Sequence, residues 1–299
     1  MSGGPACTVV VPSYQSQGTI GACLRSLRRQ DLARPFEVIV VDSSSDQSPE
    51  LVAREFPEAR LVHRAERTPA PAARNLGAAA AASDTLAFLD SDCVAPADWL
   101  RRLRLLLDAG YDGVGGAISN ANGQSLVSWA GYFCEFREFL PRGEARDVDN
   151  LTLGNAAYRR EPFLAVGGLP EDCFPQEDQV FHDALRRRGG RLRLDPGIVV
   201  AHHHRDERGA FLDHQRRVGR ANALVLRRIE RPGSFLARRP ILARLVVPLL
   251  VPYRLARTVA ACRDVEDGAL WRRPALLALV AQGMVAWGRG FAEGAAGRG

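Results

Sequence analysis

The chain has 299 residues, of which 46% are hydrophobic and 25% are charged. This composition is typical of a globular protein and excludes wholesale disorder, a collagen-like rod and a coiled-coil rod. At roughly 100–200 residues per domain, the length allows one large domain or two modest ones. All 40 basic residues are arginines and none is lysine, which is typical of a coding bias and weakens the case for a designed cationic surface.

The charge is divided unevenly along the chain. Residues 205–299 contain 18 arginines and 8 acidic residues, which leaves 22 arginines and 26 acidic residues for residues 1–204. An acidic first part suits chemistry with metals and activated phosphates, whereas a basic tail suits an anionic surface such as a membrane or a nucleic acid. A merely solvated, arginine-rich surface is the alternative for the tail.

The six cysteines are scattered and form no CxxC pair. This spacing favours neither a zinc ribbon nor a disulfide scaffold, so we expect reduced and mostly buried thiols. Residues 1–6 show no basic segment followed by an apolar one, so no signal peptide is expected before the first strand. The sequence therefore predicts a cytoplasmic protein.

Short apolar runs alternate with helical patterns over the first 89 residues. Strands are predicted at residues 7–11, 36–41, 60–63 and 85–89, and helices at residues 20–30, 49–56 and 70–82. Such alternation predicts an α/β fold, with a mostly parallel sheet flanked by helices on both faces. In such folds, ligands bind beyond the carboxyl ends of the strands.

The pattern loosens from about Val114 and returns later as a helix at residues 179–188 and strands at residues 192–194 and 198–201. An aromatic series in between has the spacing of one helix face: Trp129, Tyr132, Phe133, Phe136 and Phe139. Core packing is the favoured interpretation of that face, and an acceptor-binding surface is the alternative. We expect this first domain to cover residues 1–220.

Residues 221–299 are predicted to form a basic, apolar helical extension. Nine uncharged residues separate Arg244 from Arg254, and residues 274–288 offer fifteen. Neither reaches the roughly 20 apolar residues that a membrane-spanning helix needs. Apolar segments flanked by arginines instead favour amphipathic helices that lie in an anionic membrane interface. A helical subdomain packed on the first domain is the alternative.

Carboxylates stand at the ends of two predicted strands. Asp90 and Asp92 follow residues 86–89 directly, and Asp42 closes residues 38–41. Two carboxylates one residue apart at a strand end suit a hard divalent cation together with a ribose hydroxyl. Asp42 is placed to accept a hydrogen bond from the N–H of a nucleobase.

The end of the first strand and the alanine-rich helix add two further candidates. Pro12, Ser13 and Tyr14 end the first strand, and Tyr14 offers a flat face on which a base can stack. Arg74 supplies a permanent positive charge that would balance a diphosphate.

Seven motifs occur in order along the chain: VVVPSY (9–14), VVDSSSD (40–46), ARNLG (73–77), FLDSD (88–92), GNAAYRR (154–160), GG (167–168) and ED (177–178). Over about residues 7–204 the sequence resembles the family 2 glycosyltransferases, which have the Rossmann-like GT-A fold. The resemblance implies an inverting transfer of a sugar from a nucleoside-diphosphate donor, with a UDP-sugar favoured, to an acceptor hydroxyl.

The resemblance also implies roles for individual residues. Pro12, Tyr14 and Arg74 would line the nucleotide pocket, and Asp42 would touch the base. Asp90 would face the ribose or the sugar.

Two more roles concern the metal and the proton. Asp92 would hold the divalent cation, Mg²⁺ or Mn²⁺, which offsets charge on the leaving diphosphate. Asp178 would be the general base that takes the proton of the attacking hydroxyl, a role worth roughly 10²–10⁴-fold in rate. Glu177 would hold an acceptor hydroxyl or orient its loop. Alternatively, the Glu177-Asp178 pair merely caps the helix that follows it.

Three consecutive histidines, His202, His203 and His204, follow the last predicted strand. Many members of the resembled family carry a metal-binding histidine here, and an imidazole beside carboxylates suits Mn²⁺ as well as Mg²⁺. Side chains alternate along an extended chain, so all three cannot face one ion, and we choose His202 as the ligand. A surface histidine cluster without a metal is the alternative.

The sequence departs from the family pattern at Gln15, where an asparagine is expected, and at Ser43, where an aspartate is frequent. The QxxRW signature of processive synthases is absent, which favours transfer of a single sugar in the synthesis of a cell-surface polysaccharide or glycolipid. A nucleotidyltransferase is disfavoured because residues 12–19 form no glycine-rich, lysine-containing loop. A catalytically silent nucleotide-sugar-binding or membrane-adaptor protein remains the alternative, and no nucleic acid partner is expected.

Overall fold

The computed structural model describes residues 4–297, apart from the side chains of residues 266, 267 and 269. The chain divides into two compact units. Unit 1 comprises the chain up to Ser119 together with Pro141–His202, and unit 2 comprises Asn120–Leu140 and the chain from His203 onward.

The first part of unit 1 alternates strands and helices as the sequence predicts. The elements are β1 (Thr8–Ser13), α1 (Ile20–Arg28), β2 (Glu37–Asp42), α2 (Ser48–Glu55), β3 (Arg60–His63), α3 (Ala70–Ala80) and β4 (Thr85–Leu89). Every side chain of β1 is buried, which is typical of a parallel strand covered on both faces. Gly77 lets α3 pack closely on β1, because a Cβ there would lie 2.3 Å from Cγ1 of Val10.

The middle of the chain continues with β5 (Cys93–Val94), α4 (Trp99–Asp108), β6 (Gly113–Asn120), α5 (Leu126–Glu135), β7 (Arg146–Asp147), β8 (Asn155–Arg159), α6 (Arg160–Ala165), α7 (Glu177–Arg187) and β9 (Leu192–His202). The last helices are α8 (Arg208–Arg228), α9 (Ser234–Ala237), α10 (Pro240–Ala261), α11 (Ala269–Arg272) and α12 (Pro274–Ala295).

Within residues 4–297 the strands form one nine-stranded sheet in the order β3-β2-β1-β4-β8-β6-β9-β5, with β7 paired to β9. The pairs among β3, β2, β1 and β4 are parallel. Pairing is antiparallel for β4 with β8, β6 with β8, β5 with β9 and β7 with β9. The α/β fold class is confirmed, and the sheet is mixed rather than mostly parallel.

Strand β9 is continuous where the sequence predicts two short strands. The predicted interruption falls at Asp195, Pro196 and Gly197, whose residue types are typical of a turn. Arg102 of α4 holds this stretch extended, with Nη2 3.0 Å from Oδ2 of Asp195 and Nη1 2.6 Å from the carbonyl of Gly197. Side chains alternate between buried and less buried along the whole strand.

Unit 2 is built from helices. Helix α12 packs against α8, α10 and α5, and Trp129, Tyr132 and Phe133 of α5 are buried. The aromatic face of α5 is therefore part of a core. The helix ends at Glu135, so Phe136 and Phe139 lie beyond it.

Two sequence expectations for the C-terminal region meet a different structure. Residue 220, the predicted domain limit, lies inside α8, and the compact units divide after His202. The apolar segment predicted at residues 274–288 continues past Arg289, giving a helix of 22 residues. In length and composition, α12 is the one helix of the described chain that could cross a membrane, although 44% of its most apolar window is buried inside the protein.

Candidate active site

Asp42 ends β2 as a fully buried carboxylate. Ser13 donates from Oγ to Oδ2 over 2.5 Å, and Ser44 donates from its backbone N–H to Oδ1 over 2.9 Å and from its hydroxyl to Oδ2 over 2.8 Å. The ring Nδ1 of His63 lies 3.1 Å from Oδ1. Asp42 thus connects the ends of β1, β2 and β3. Of the side chains that contact its carboxylate, the ring of His63 is half-exposed and reaches the surface.

The end of β1 carries Pro12 and Tyr14. Pro12 is buried opposite Val41 of β2, so it shapes the backbone rather than offering a surface. Tyr14 is 45% exposed, and the guanidinium carbon of Arg67 lies 4.7 Å from the centre of its ring. An exposed aromatic ring with a neighbouring arginine suits stacking on a flat, anionic ligand.

Arg74 of α3 connects the end of β4 to α7. Its side chain is almost fully buried, Nη2 is paired with Oδ1 of Asp90, and Nη1 lies 3.2 Å from Oε1 of Glu177. Burial alone lowers the pKa of Arg74, but attraction to Asp90 and then to Glu177 outweighs it and raises that pKa. Nε of Arg74 is buried without a hydrogen-bond partner.

Glu177 is the buried member of the acidic pair at the start of α7. Burial raises its pKa from 4.5 to about 7, Arg74 opposes this shift, and the charge of Asp178 adds to it. The N-cap of α7 is Gln176, whose side chain makes no capping bond. Glu177 and Asp178 therefore stand in the first turn, where the helix dipole favours negative charge, and neither is the N-cap.

Asp178 is held by a chain of polar groups. Nδ2 of Asn150 donates to Oδ2 of Asp178 over 2.7 Å, and Oδ1 of Asn150 lies 2.7 Å from Nδ1 of His182. Nε2 of His182 lies 2.8 Å from the hydroxyl of Tyr158. Asp178, Asn150, His182 and Tyr158 therefore form one connected network.

The hydrogen-bond geometry assigns the protons of this network. Because Asn150 must donate to the carboxylate, its oxygen faces His182, which then carries its proton on Nδ1. The backbone N–H of Leu151 approaches the same Nδ1 only to 3.5 Å. Nε2 of His182 accepts from Tyr158, and burial raises the pKa of that phenol well above its ordinary value, which keeps it a donor.

Asp92, Cys93 and His202 form the candidate metal centre of unit 1. Antiparallel pairing of β5 with β9 sets Cys93 opposite His202. Nε2 of His202 lies 3.3 Å from Oδ1 of Asp92, and the ligand atoms of all three residues lie within 4.8 Å of one another. His204 packs instead against Tyr132 in unit 2, with ring centres 5.6 Å apart.

A model of the family described as glycosyl transferase family 2 matches residues 8–167 of this chain. The chain belongs to glycosyl transferase family 2. The matched region contains β1 to β8, including the ends of β1, β2 and β4 that carry the candidate residues.

Two relatives match over most of their length. The glycosyltransferase AglE of Haloferax volcanii is 32% identical over 74% of this chain and 74% of its own. The succinoglycan biosynthesis protein ExoO of Rhizobium meliloti is 31% identical over 77% of this chain and 70% of its own.

A solved structure shows the same GT-A fold. The mannosyltransferase PcManGT of Pyrobaculum calidifontis, in complex with GDP-Man and Mn²⁺, has a TM-score of 0.61 and 23% identity. The match covers 95% of this chain and 86% of that one. The GT-A fold expected from the motifs is confirmed.

The donor atoms at the metal centre of this family 2 chain fit a hard or borderline divalent cation. A carboxylate and an imidazole suit Mg²⁺ and Mn²⁺. Burial, followed by the charges of Asp92 and Asp90, raises the pKa of Cys93 well above its ordinary value. A cysteine sulfur is a soft ligand that suits Zn²⁺ better than Mg²⁺ or Mn²⁺, so the fit to these two ions rests on Asp92 and His202.

Several residues that contact the candidate site of this family 2 chain were not predicted from the sequence motifs. Asn150, His182 and His63 carry no motif of their own, and only the fold brings them to Asp178 and Asp42. Gly154 belongs to the GNAAYRR motif, and its role is steric, because a Cβ there would lie 2.8 Å from Oδ2 of Asp90.

Proposed function

We propose that this chain is a metal-dependent, inverting glycosyltransferase that moves one sugar from a nucleoside-diphosphate donor to an acceptor hydroxyl. The observation that carries the proposal is the connection of Asp90 to Glu177 through the buried Arg74. It joins the carboxylates after β4 to the acidic pair of α7 within one unit. An inverting transfer needs both a donor-binding group and a general base within reach of the same sugar.

Asp178 acts as the general base in this proposal. Its carboxylate takes the proton from the acceptor hydroxyl as that oxygen attacks the sugar. The hydrogen bond from Asn150 fixes Oδ2, so the carboxylate does not have to be oriented during the reaction. Glu177 supports the site through its pairing with Arg74.

Asp92 and His202 hold the divalent cation, Mg²⁺ or Mn²⁺. When bound, the cation offsets the charge that builds on the leaving diphosphate. The Mn²⁺ in the complex of the structurally similar PcManGT supports a cation of this class.

Tyr14 stacks on the base of the donor, and Asp90 faces its ribose or sugar. Arg74 acts through Asp90, since both of its terminal nitrogens already face carboxylates. A UDP-sugar is the donor that the motifs favour, whereas the complex of PcManGT holds GDP-Man. Titration with several nucleotides is therefore needed to identify the nucleobase of the donor.

The acceptor is a carbohydrate or a lipid-linked precursor of a cell-surface polysaccharide or glycolipid. The description of the relative ExoO as a succinoglycan biosynthesis protein supports this class. We place the chain in the cytoplasm, peripherally attached to the inner membrane face through its basic C-terminal region.

Calorimetric titration of UDP, GDP and dTDP with and without Mn²⁺ tests the donor and metal assignments together. One nucleotide should bind, and only with Mn²⁺. Asp92→Ala should abolish this binding, whereas Asp108→Ala, which removes a surface carboxylate 57% exposed on α4, should leave it intact. If no nucleotide binds under any condition, the donor site is refuted.

The reaction itself is tested with Asp178→Asn. This variant should bind the nucleotide with Mn²⁺ as the unaltered chain does and lose sugar transfer to an acceptor. If transfer persists, Asp178 is not the base. If nucleotide binds but the unaltered chain transfers no sugar to any acceptor class, the catalytically silent binding protein is the better description.

A further inference from the structure

Helix α10 exposes a row of large apolar side chains in unit 2. Ile241, Leu245, Leu249 and Tyr253 are 78%, 70%, 71% and 59% exposed. They stand four residues apart, so they lie on one face of the helix. Soluble chains seldom leave such a continuous row in water, and we refer to these four residues as the α10 stripe.

The residues between the members of the stripe keep this face uncharged. Pro248, Pro252 and Ala256 are also exposed, and at about 100° per residue they fall within the same sector as the stripe. The two prolines lack an N–H and interrupt the hydrogen bonding of α10 on this side. The face is therefore apolar from Ile241 to Ala256.

The charged residues of α10 that border the stripe are all positive, and the one acidic neighbour before the helix is Glu230, whose Oε1 lies 2.5 Å from Nη1 of Arg238. Exposed Arg244 and Arg257 lie on opposite sides of it, and Arg238 and Arg239 are exposed just before the helix begins. No aspartate or glutamate occurs between residues 231 and 261. An apolar row with a mainly basic border complements an anionic lipid surface, where apolar side chains enter the acyl region and arginines meet the headgroups.

Helix α12 has the opposite character, although its composition is the more apolar of the two. Gly283, Met284, Trp287 and Phe291 are buried within unit 2. Gly290 fits against α8 so closely that a Cβ would lie 1.9 Å from the carbonyl oxygen of Arg216. The apolar surface of α12 is thus largely used in packing.

We propose that the α10 stripe is the surface by which this protein binds an anionic lipid bilayer. Helix α10 lies in the plane of the interface, with the stripe inserted and Arg239, Arg244 and Arg257 at the headgroups. At 1.5 Å per residue, the 22 residues of α10 present a contact about 33 Å long. The assignment is independent of the transfer reaction, because it uses none of the residues placed at the sugar donor or at the base.

Flotation of the full chain with lipid vesicles tests this surface. The chain should float with vesicles that contain phosphatidylglycerol and remain unbound with pure phosphatidylcholine, and added salt should weaken binding. Leu245→Asp/Leu249→Asp should reduce partitioning at least about tenfold, because two exposed leucines that enter the acyl region on binding are replaced by charges. Arg239→Gln and Arg244→Gln should each reduce it roughly fivefold.

Two controls make the test specific. Leu105→Asp removes a leucine of unit 1 that is 60% exposed, and Arg54→Gln removes an arginine with a 72% exposed side chain. Both should bind anionic vesicles as the unaltered chain does. Nucleotide binding by every variant, measured in parallel without lipid, reports that unit 1 is folded.

Three outcomes would overturn the proposal. The first is that Leu245→Asp/Leu249→Asp, the stripe variant, floats with anionic vesicles as well as the unaltered chain does. The second is that the unaltered chain binds neither kind of vesicle. The third is a dimer of the unaltered chain that the stripe variant converts to monomer without any vesicle binding, which would assign the stripe to a second copy. Loss of sugar transfer with intact flotation would bear on the proposed reaction only.

Discussion

Asn150 donates a hydrogen bond to Asp178 over 2.7 Å and receives one from His182 over the same distance. An asparagine in this position orients the carboxylate and stabilises its ionised form, because the N–H···O⁻ bond is charge-assisted. The phenol of Tyr158 in turn holds the ring of His182. The reactivity of Asp178 should therefore depend on three residues that do not touch the substrate.

Asn150→Ala should lower kcat for sugar transfer by about ten- to a hundredfold, part of the roughly 10²–10⁴-fold that a general base supplies. Donor affinity should not change, since Asn150 lies among none of the residues placed at the nucleotide. Asn150→Asp removes the donated bond and adds a second negative charge, so it should also move the acidic limb of the kcat profile to higher pH. Steady-state kinetics over pH measures both effects, and an unchanged profile for Asn150→Asp would contradict this role.

The same residues show what sequence patterns can and cannot predict. Asp42 and Asp90 stand at strand ends that apolar runs mark clearly, so their approximate positions follow from the alternation of elements. Asn150 lies in a polar stretch without periodicity, 28 residues before its partner Asp178. Only the fold brings these two side chains together.

The antiparallel strands of the sheet are also difficult to predict from the sequence. Strand β6 contains Gly113, Gly115 and Gly116, which weaken any pattern of apolar residues. Gly116 is required there because a Cβ would lie 1.9 Å from the carbonyl oxygen of Ile198 in β9. The close approach of two strands explains the glycine, but the glycine alone does not predict the strand.

Glu177 should make the stability of the chain depend on pH. Burial raises its pKa from 4.5 to about 7, so the folded state binds this proton more tightly than the unfolded state does. The stabilisation that the protonated Glu177 gives to the folded state is fully present below about pH 4.5 and is lost as the pH rises through 7. The loss amounts to roughly 3 kcal/mol of unfolding free energy at 1.4 kcal/mol per pH unit.

Glu177→Gln should remove this pH dependence. From pH 5 to pH 8 the unaltered chain should lose unfolding free energy that the variant keeps. Urea unfolding of both proteins at the two pH values measures this difference. Glu50→Gln, at an exposed position of α2, is the control and should leave the dependence as it is. A parallel response of Glu177→Gln and the unaltered chain would show that Glu177 is not the titrating group.

Asp42→Asn should destabilise unit 1, because one amide oxygen cannot replace two carboxylate oxygens that together face Ser13, Ser44 and His63. A buried hydrogen-bonding group left without a partner costs about 1–3 kcal/mol. Urea unfolding measures the loss, with Asp31→Asn, at a carboxylate 45% exposed, as the matched control. Equal stability of the two variants would mean that Asp42 is not a structural anchor. Loss of nucleotide affinity without loss of stability would favour the base contact expected from the motifs.

Gly290→Ala tests whether α12 is a packed core helix. A Cβ at Gly290 would lie 1.9 Å from the carbonyl oxygen of Arg216, and backbone cannot move aside as a flexible side chain does, so α8 and α12 would have to separate. We expect a loss of at least about 2 kcal/mol of unfolding free energy, as for overpacked cores. Gly209→Ala in α8 is the control, because a Cβ there meets nothing within 4 Å, and it should be neutral or stabilise by up to about 1 kcal/mol. If Gly290→Ala is as stable as Gly209→Ala in urea unfolding of the lipid-free protein, α12 is not packed on α8 in solution, and its assignment as a core helix rather than a membrane-crossing one fails.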